Sequence, residues 1–149
     1  MLPDQMTQLR RLFILVLAFN RFASLPPVVA QMTNVRYSEV ENIIMAGNQI
    51  EKISSETLME MKYVKKLDLR LNHLVLPTTE TMKFTILEHL THLDIRDNQV
   101  AELDIRAIKT LEFLNCERNA MASLQLNGTA LKFLFAGSNC KSFIVLMLS

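Results

Sequence analysis

Apolar residues along this chain fall into one recurring arrangement. An apolar position is followed by two free ones, then apolar–x–apolar, two more free positions, an asparagine, and a last apolar residue two places on. The arrangement runs through Leu12, Leu15, Leu17, Asn20 and Phe22, then Val40, Ile43, Met45, Asn48 and Ile50, then Val64, Leu67, Leu69, Asn72 and Leu74. It returns at Leu90, Leu93, Ile95, Asn98 and Val100, and at Leu111, Leu114, Cys116, Asn119 and Met121. A sixth copy is Leu131, Leu134, Ala136 and Asn139, with Lys141 where an apolar residue belongs. Six asparagines in one register, each with its apolar set, mark a repeat architecture.

Each part of the unit has a physical reason. The central apolar–x–apolar alternates, so two side chains point the same way from a short strand. Strands stacked in parallel then share a core that no single repeat can bury alone. The asparagine falls where the chain turns off the strand, and its amide both donates and accepts, so it can satisfy backbone groups of a buried turn. These features predict an α/β leucine-rich-repeat solenoid. The expected shape is a curved horseshoe with parallel β on the concave face and short helices, 3₁₀ turns and loops on the convex face. Residues 1–149 read as one domain of about six repeats.

The asparagine spacings are 28, 24, 26, 21 and 20 residues, mostly within the 20–29 range of such repeats. Leu2-Pro3 recurs as Leu25-Pro26, but the next anchor is Val40 rather than Val35, so residues 35–39 are expected to be a local insertion. On the convex side, Thr57 to Glu60 has capping-box spacing, with Leu58, Met61 and Val64 at steps of three, which predicts a short helix. The returns from Asp104 to Thr110 and Gln125 to Ala130 are short enough for only a turn or a 3₁₀ stretch. Pro77 to Leu87 reads as loop with some helix near its end. Residues 141–149 read as an irregular tail, where the repeat pattern fails. Both ends lie inside the pattern without a polar cap, so the expectation is a fragment of a longer repeat array.

Composition narrows the function. Sixteen Lys and Arg against fifteen Asp and Glu give a net charge of +1, which offers no clustered basic surface for nucleic acid. Two cysteines do not make a disulfide framework, so a reduced, cytoplasmic chain is expected. Arg10-Arg11 before the apolar run Leu12 to Phe19 superficially resembles a signal peptide. That run is far shorter than the roughly 20 residues needed to cross a bilayer, and it fits the repeat at every position, so no direct membrane insertion is expected. The sequon Asn127-Gly128-Thr129 would matter only in a secreted chain.

No catalytic constellation stands out. Asp94 and Asp97 suggest a paired-carboxylate metal site, and His89 and His92 lie three apart, but their repeat positions make ordinary strand and turn roles the simpler reading. Cys116 occupies an inward leucine position and reads as a small buried apolar residue. Nothing basic enough flanks Cys140 to argue for a thiolate. No cofactor is expected, and the chain is expected not to be an enzyme.

The outward strand positions form ladders. One reads Val16, Ile44, Asp68, Asp94, Asn115, Phe135; a second reads Ile14, Asn42, Lys66, His92, Phe113, Phe133; a third reads Ala18, Ala46, Arg70, Arg96, Glu117, Gly137. The face is therefore apolar at its start, charged in its middle and aromatic at its end. Its candidate protein-binding residues are Val16, Ile44, Lys66, Asp68, Arg70, His92, Asp94, Arg96, Phe113, Asn115, Glu117, Phe133 and Phe135. Asp68 with Arg70, and Asp94 with Arg96, could equally form a self-paired, solvated surface worth little energy. Exposed apolar and aromatic ladders are harder to account for without a partner or a neighbouring repeat.

The stretches Ile44 to Asn48, Leu67 to Leu74, His92 to Asn98, Leu114 to Asn119 and Leu131 to Asn139 resemble the repeat region of the PH-domain leucine-rich-repeat protein phosphatases. The resemblance covers most of residues 9 to 140; cysteine as the inward residue of the fifth copy and Ala-Gly in the second are its more specific features. Proteins of that family carry a lipid-binding PH domain before the repeats and a metal-dependent PP2C-type phosphatase domain after them. They act on Akt and protein kinase C. The resemblance implies a protein-interaction module of intracellular signalling whose partner is a signalling kinase or scaffold. It carries no catalytic residue onto this chain, although "protein phosphatase" could be inherited from a longer gene product. A free-standing leucine-rich-repeat adaptor, of the Ras-pathway or phosphatase-1 type, is the alternative.

Removing residues 35–39 restores the 23-residue period. Hydrogen exchange on that deletion is expected to show unchanged protection of the strands on either side; loss of protection at Ile43 would make the segment part of the solenoid.

Overall fold

The computed structural model describes residues 2–34, 40–75, 86–126 and 130–147. The expected insertion at 35–39, and most of the stretch from Pro77 to Leu87, lie outside them. Six three-residue strands, one per asparagine copy, form a single parallel sheet. They are β1 (Ile14–Val16), β2 (Asn42–Ile44), β3 (Lys66–Asp68), β4 (His92–Asp94), β6 (Phe113–Asn115) and β8 (Phe133–Phe135). Leu15, Ile43, Leu67, Leu93, Leu114 and Leu134 pair in unbroken register. These leucines and isoleucines point into the core, as alternation along a strand requires. The chain is a leucine-rich-repeat solenoid.

The asparagine turn ties each repeat to the one before it. Asn72 donates from Nδ2 to the carbonyls of Leu69 and Arg70 in its own turn and of Met45 in the preceding one (2.9, 3.2 and 3.0 Å). Its Oδ1 accepts from the Ile50 N–H at 3.0 Å. Asn48, Asn98, Asn119 and Asn139 repeat the same four bonds. Asn20, the first rung, bonds only the Leu17 and Ala18 carbonyls of its own turn and is exposed. The residue before every rung is left-handed: Phe19, Gly47, Leu71, Asp97, Arg118 and Ser138 have φ between 49° and 65°. That conformation costs a non-glycine residue roughly 1–2 kcal/mol. Only Gly47 avoids the cost, and there a Cβ would run into the Phe19 ring of the preceding turn.

The convex side differs from expectation in several places. The predicted helix is present as α2 (Ser55–Glu60), but its cap is Ser54, whose Oγ accepts from the Thr57 N–H at 3.2 Å. Thr57 lies inside the helix rather than capping it. A further helix, α1 (Pro27–Asn34), buries Val28, Val29, Ala30 and Met32. Proline at its first position is preorganised for a helix start, a signal the repeat pattern concealed. The return from Asp104 to Thr110 is turns, as expected, and residues 127–129 of the next return lie outside the described residues. Just before the two returns, β5 (Glu102–Asp104) and β7 (Ser123–Leu126) pair in parallel, which the repeat pattern did not predict. The tail expected to be irregular supplies β9 (Ile144–Met147), which pairs with β7. Where repeats shrink to 21 and 20 residues, extended chain crosses the convex side at about 3.3 Å per residue, against 1.5 Å for a helix.

The core is continuous from Leu15 to Leu126. Coverage differs along the inward ladder. Leu15 is only 6% exposed, with Leu2 and Met6 of the first residues packed on the core, whereas Leu134 is 40% exposed.

Asn72→Ala leaves backbone groups of two turns without partners, and a loss of roughly 1–3 kcal/mol is expected in denaturant melts. Arg70→Ala, at the edge of solvent, is expected to cost under about 0.5 kcal/mol. Equal losses would mean that the amide does not hold the turns together.

Candidate protein-binding face

The register sets the outward residues side by side across the sheet. Ile14, Asn42, Lys66, His92, Phe113 and Phe133 form one row; Val16, Ile44, Asp68, Asp94, Asn115 and Phe135 form another. From β1 across to β6 the face dips into a shallow hollow of about 360 Å³, with Phe13, Ile14 and Ile44 at one end, Phe113 at the other, and Lys66, Asp68, His92 and Asp94 between them.

The charged middle is occupied with itself. Asp68 Oδ1 accepts from the Arg70 N–H (3.1 Å), and its other oxygen lies 3.3 Å from the Arg70 guanidinium. Asp94 and Arg96 repeat the arrangement at 3.2 and 3.5 Å. Both pairs are formed within one strand end, not between neighbouring strands. Burial holds the Asp94 carboxyl above the ordinary aspartate range, against the pull of Arg96. Asn115 takes the same turn role, accepting from the Glu117 N–H at 3.1 Å. It is buried, so this candidate contact residue belongs to the turn instead. Asn42 and Ala46 of the outward rows are buried as well.

The apolar ends are open. Val16 and Phe133 are 58% and 57% exposed, and Ile14 and Phe135 are exposed too; Ile44 is half-buried. At the aromatic end, His92 stacks on Phe113 with ring centroids 5.6 Å apart and planes 16° apart, and Phe113 meets Phe133 and Phe135 at 6.4 and 5.6 Å. The His92 pKa is lowered, first by burial and next by the Lys66 ammonium beside it.

The candidate metal and nucleophile residues disperse. Asp97 turns away from Asp94 to Arg118, whose Nη2 donates to it at 2.8 Å. That hydrogen bond holds the Asp97 carboxyl below its ordinary range. His89 stacks on Tyr63 at 5.7 Å, apart from the His92 stack. Among the described residues no three His, Cys, Asp or Glu side chains converge as metal ligands. Burial pushes the Cys116 thiol up to about 12, so it stays a thiol. Cys140 is exposed, with its sulfur 3.2 Å from the Ala120 carbonyl. Among the described residues no helix is long and apolar enough to cross a membrane.

Sequence comparison agrees with this geometry. Over 104 residues, 70% of its length, the chain is 39% identical to PH domain leucine-rich repeat protein phosphatase 1 of Rattus norvegicus. It is 38% identical over 100 residues to the Homo sapiens phosphatase of that name. The chain is similar to the leucine-rich-repeat region of these phosphatases. It spans about 6% of their length. No family model matches it. Among solved structures, the Leptospira interrogans LRR protein LIC12759 superposes with a TM-score of 0.68 at 25% identity, covering 82% of this chain and 29% of that one. The LRR ectodomain of the receptor kinase SOBIR1 from Arabidopsis thaliana gives 0.64 at 20% identity, covering 88% and 72%. The second likeness shows the fold alone.

The His92 shift has a definite sign. With the folded pKa below the unfolded value, the unfolded chain takes up the proton first. The stability contributed by neutral His92 is therefore complete above the unfolded pKa, about 6.5, and is lost as pH falls below it. Thermal melts between about pH 7.5 and pH 5 are expected to show a fall in the midpoint that His92→Phe removes. A midpoint that rises on acidification would reverse the assignment.

Proposed function

We propose that this chain is a protein-interaction module of intracellular signalling, acting in the cytoplasm and having no catalytic activity of its own. A solenoid of this kind is typically non-catalytic, and its open sheet face supports a protein-binding role. The observation that carries the reading is the pair of exposed apolar and aromatic patches at the two ends of the sheet face, Ile14 with Val16 and Phe133 with Phe135. Exposed clusters of this type are characteristic of contact surfaces, and aromatic side chains dominate the energy of such contacts. Likeness to the phosphatase repeats supports a signalling kinase as partner, of the Akt or protein kinase C type, with the repeats presenting the kinase to a phosphatase domain in a longer protein. The alternative, an adaptor that binds a scaffold instead, is favoured by the self-paired charges in the middle of the face, which leave fewer groups for a highly charged partner.

Purified Akt and protein kinase C immobilised on a sensor surface provide the test. The chain is expected to bind at least one of them, and Phe133→Ala with Phe135→Ala is expected to weaken binding by about tenfold or more. Unchanged affinity in the double variant would move the contact off this face. Absence of binding to either kinase would favour the adaptor reading.

A further inference from the structure

Two parallel sheets stop at the same end of the solenoid. Among the described residues β8 has a neighbour only in β6, and β9 only in β7. Leu134, in the middle of β8, belongs to the inward row, yet it is open to solvent where the other five members are buried. Phe133, Leu134 and Phe135, with Ile144, Val145 and Leu146 on β9, are each 40–57% exposed.

A sheet edge usually carries a charge, a proline or a bulge that keeps other strands away. Here Lys141 is the only charged residue from Phe133 to Met147, and there is no proline. Lys141 lies in the turn before β9, on neither strand. The backbone of both edges is open as well. The Phe135 and Gly137 carbonyls accept from the Cys116 and Arg118 N–H groups at 2.8 and 3.0 Å. By alternation the Leu134 N–H and C=O therefore face away from β6. On β9 the Ile144 N–H donates to the Ala122 carbonyl at 3.0 Å, so those of Val145 face away from β7. Val145 stands beside the buried Leu124 and points inward, as Leu134 does.

The opposite end is built differently. Leu2 and Met6 pack on the core there and Leu15 is buried. Arg10, Arg11 and Arg21 form no ion pair among the described residues. An open apolar end cannot continue its core on a covered, cationic one, but it can on a copy of itself. A two-fold axis across the end sets β8 antiparallel to its counterpart. Leu134 then meets its own counterpart, and Phe133 meets the counterpart of Phe135. Residues opposed in an antiparallel pair share a face of the sheet, so the leucines extend the core row and the aromatics meet on the concave face. A self-complementary contact of this kind closes as a dimer. With roughly 150–200 Å² at stake per large side chain, the exposed residues of β8 and β9 leave roughly 500 Å² uncovered per copy. For two copies that is about 1,000 Å², the level at which a specific interface begins.

We propose that the β8–β9 end docks on the same end of a second copy, joining the sheets edge to edge across a two-fold axis. This contact uses strand edges and the end of the core, whereas the protein-binding reading above uses the sheet face.

Sedimentation of the full chain between about 1 and 100 µM tests it, a range suited to a contact at the small end of the interface scale. A dimer of twice the chain mass is expected to fill in as concentration rises, with no larger species. Hydrogen exchange on the unaltered chain should show the Leu134 and Val145 amides gaining protection with concentration, while the Ile14 amide on β1 does not. Val145→Pro removes an N–H that faces the open edge, where proline is tolerated. That variant and Leu134→Lys should each raise the dimer dissociation constant at least about tenfold. Val16→Lys, an equal change in charge at the opposite end, should alter it less than about twofold. Circular dichroism reads the folding of each variant separately. A monomer at every concentration, open-ended oligomers, or a dimer lost with Val16→Lys but kept with the other two would each overturn the proposal. A monomer would give this end to a different chain without bearing on kinase binding at the sheet face.

Discussion

Every strand-to-turn corner in this solenoid leaves carbonyl groups facing inward, away from water, and one side-chain amide answers them. From Asn48 onward each amide is fully engaged, donating to carbonyls in two successive turns and accepting from the backbone of the earlier one. A buried amide left without partners would be costly, so the corner must close in one way. The left-handed residue before each rung completes the geometry, and from Phe19 to Arg118 its N–H donates to the next repeat, as from Leu71 to the Arg96 carbonyl at 3.1 Å. Four non-glycine residues, Phe19, Leu71, Asp97 and Arg118, hold that conformation with such a bond, which over-determines it.

Once the corners are fixed, the strands are locked in register and the convex side is free to vary. Repeats of 24 and 28 residues leave room for α2 and α1 between asparagines, those of 21 and 20 carry β5 and β7 instead, and β9 follows the last asparagine. This freedom explains how unequal repeats still produce an unbroken row of inward leucines.

The same register makes a surface. Side chains far apart in sequence become neighbours at strand spacing, about 4.8 Å, so His92, Phe113, Phe133 and Phe135 become one aromatic patch. Asp68 and Asp94, which look like binding residues on the same face, hold their own turns through Arg70 and Arg96. Outward side chains that no turn claims are therefore left at the apolar start, at the aromatic end and at Lys66, which forms no ion pair among the described residues.

The strand positions, the inward and outward sets and the asparagine corners were legible in the sequence, because each follows from local alternation and from one polar residue repeated at one offset. Ile43, Leu67 and Leu93 could be placed in the core without knowing their neighbours. The convex elements were not legible: a three-residue strand such as Glu102–Asp104 has no periodicity of its own and exists only because Ser123–Leu126 lies beside it. The roles of Asn115, buried in its turn, and Asp97, drawn to Arg118 rather than to Asp94, were equally hidden. Alternation assigns a residue to a face, but only the packed neighbours decide whether its polar atoms are free for a partner or already bound.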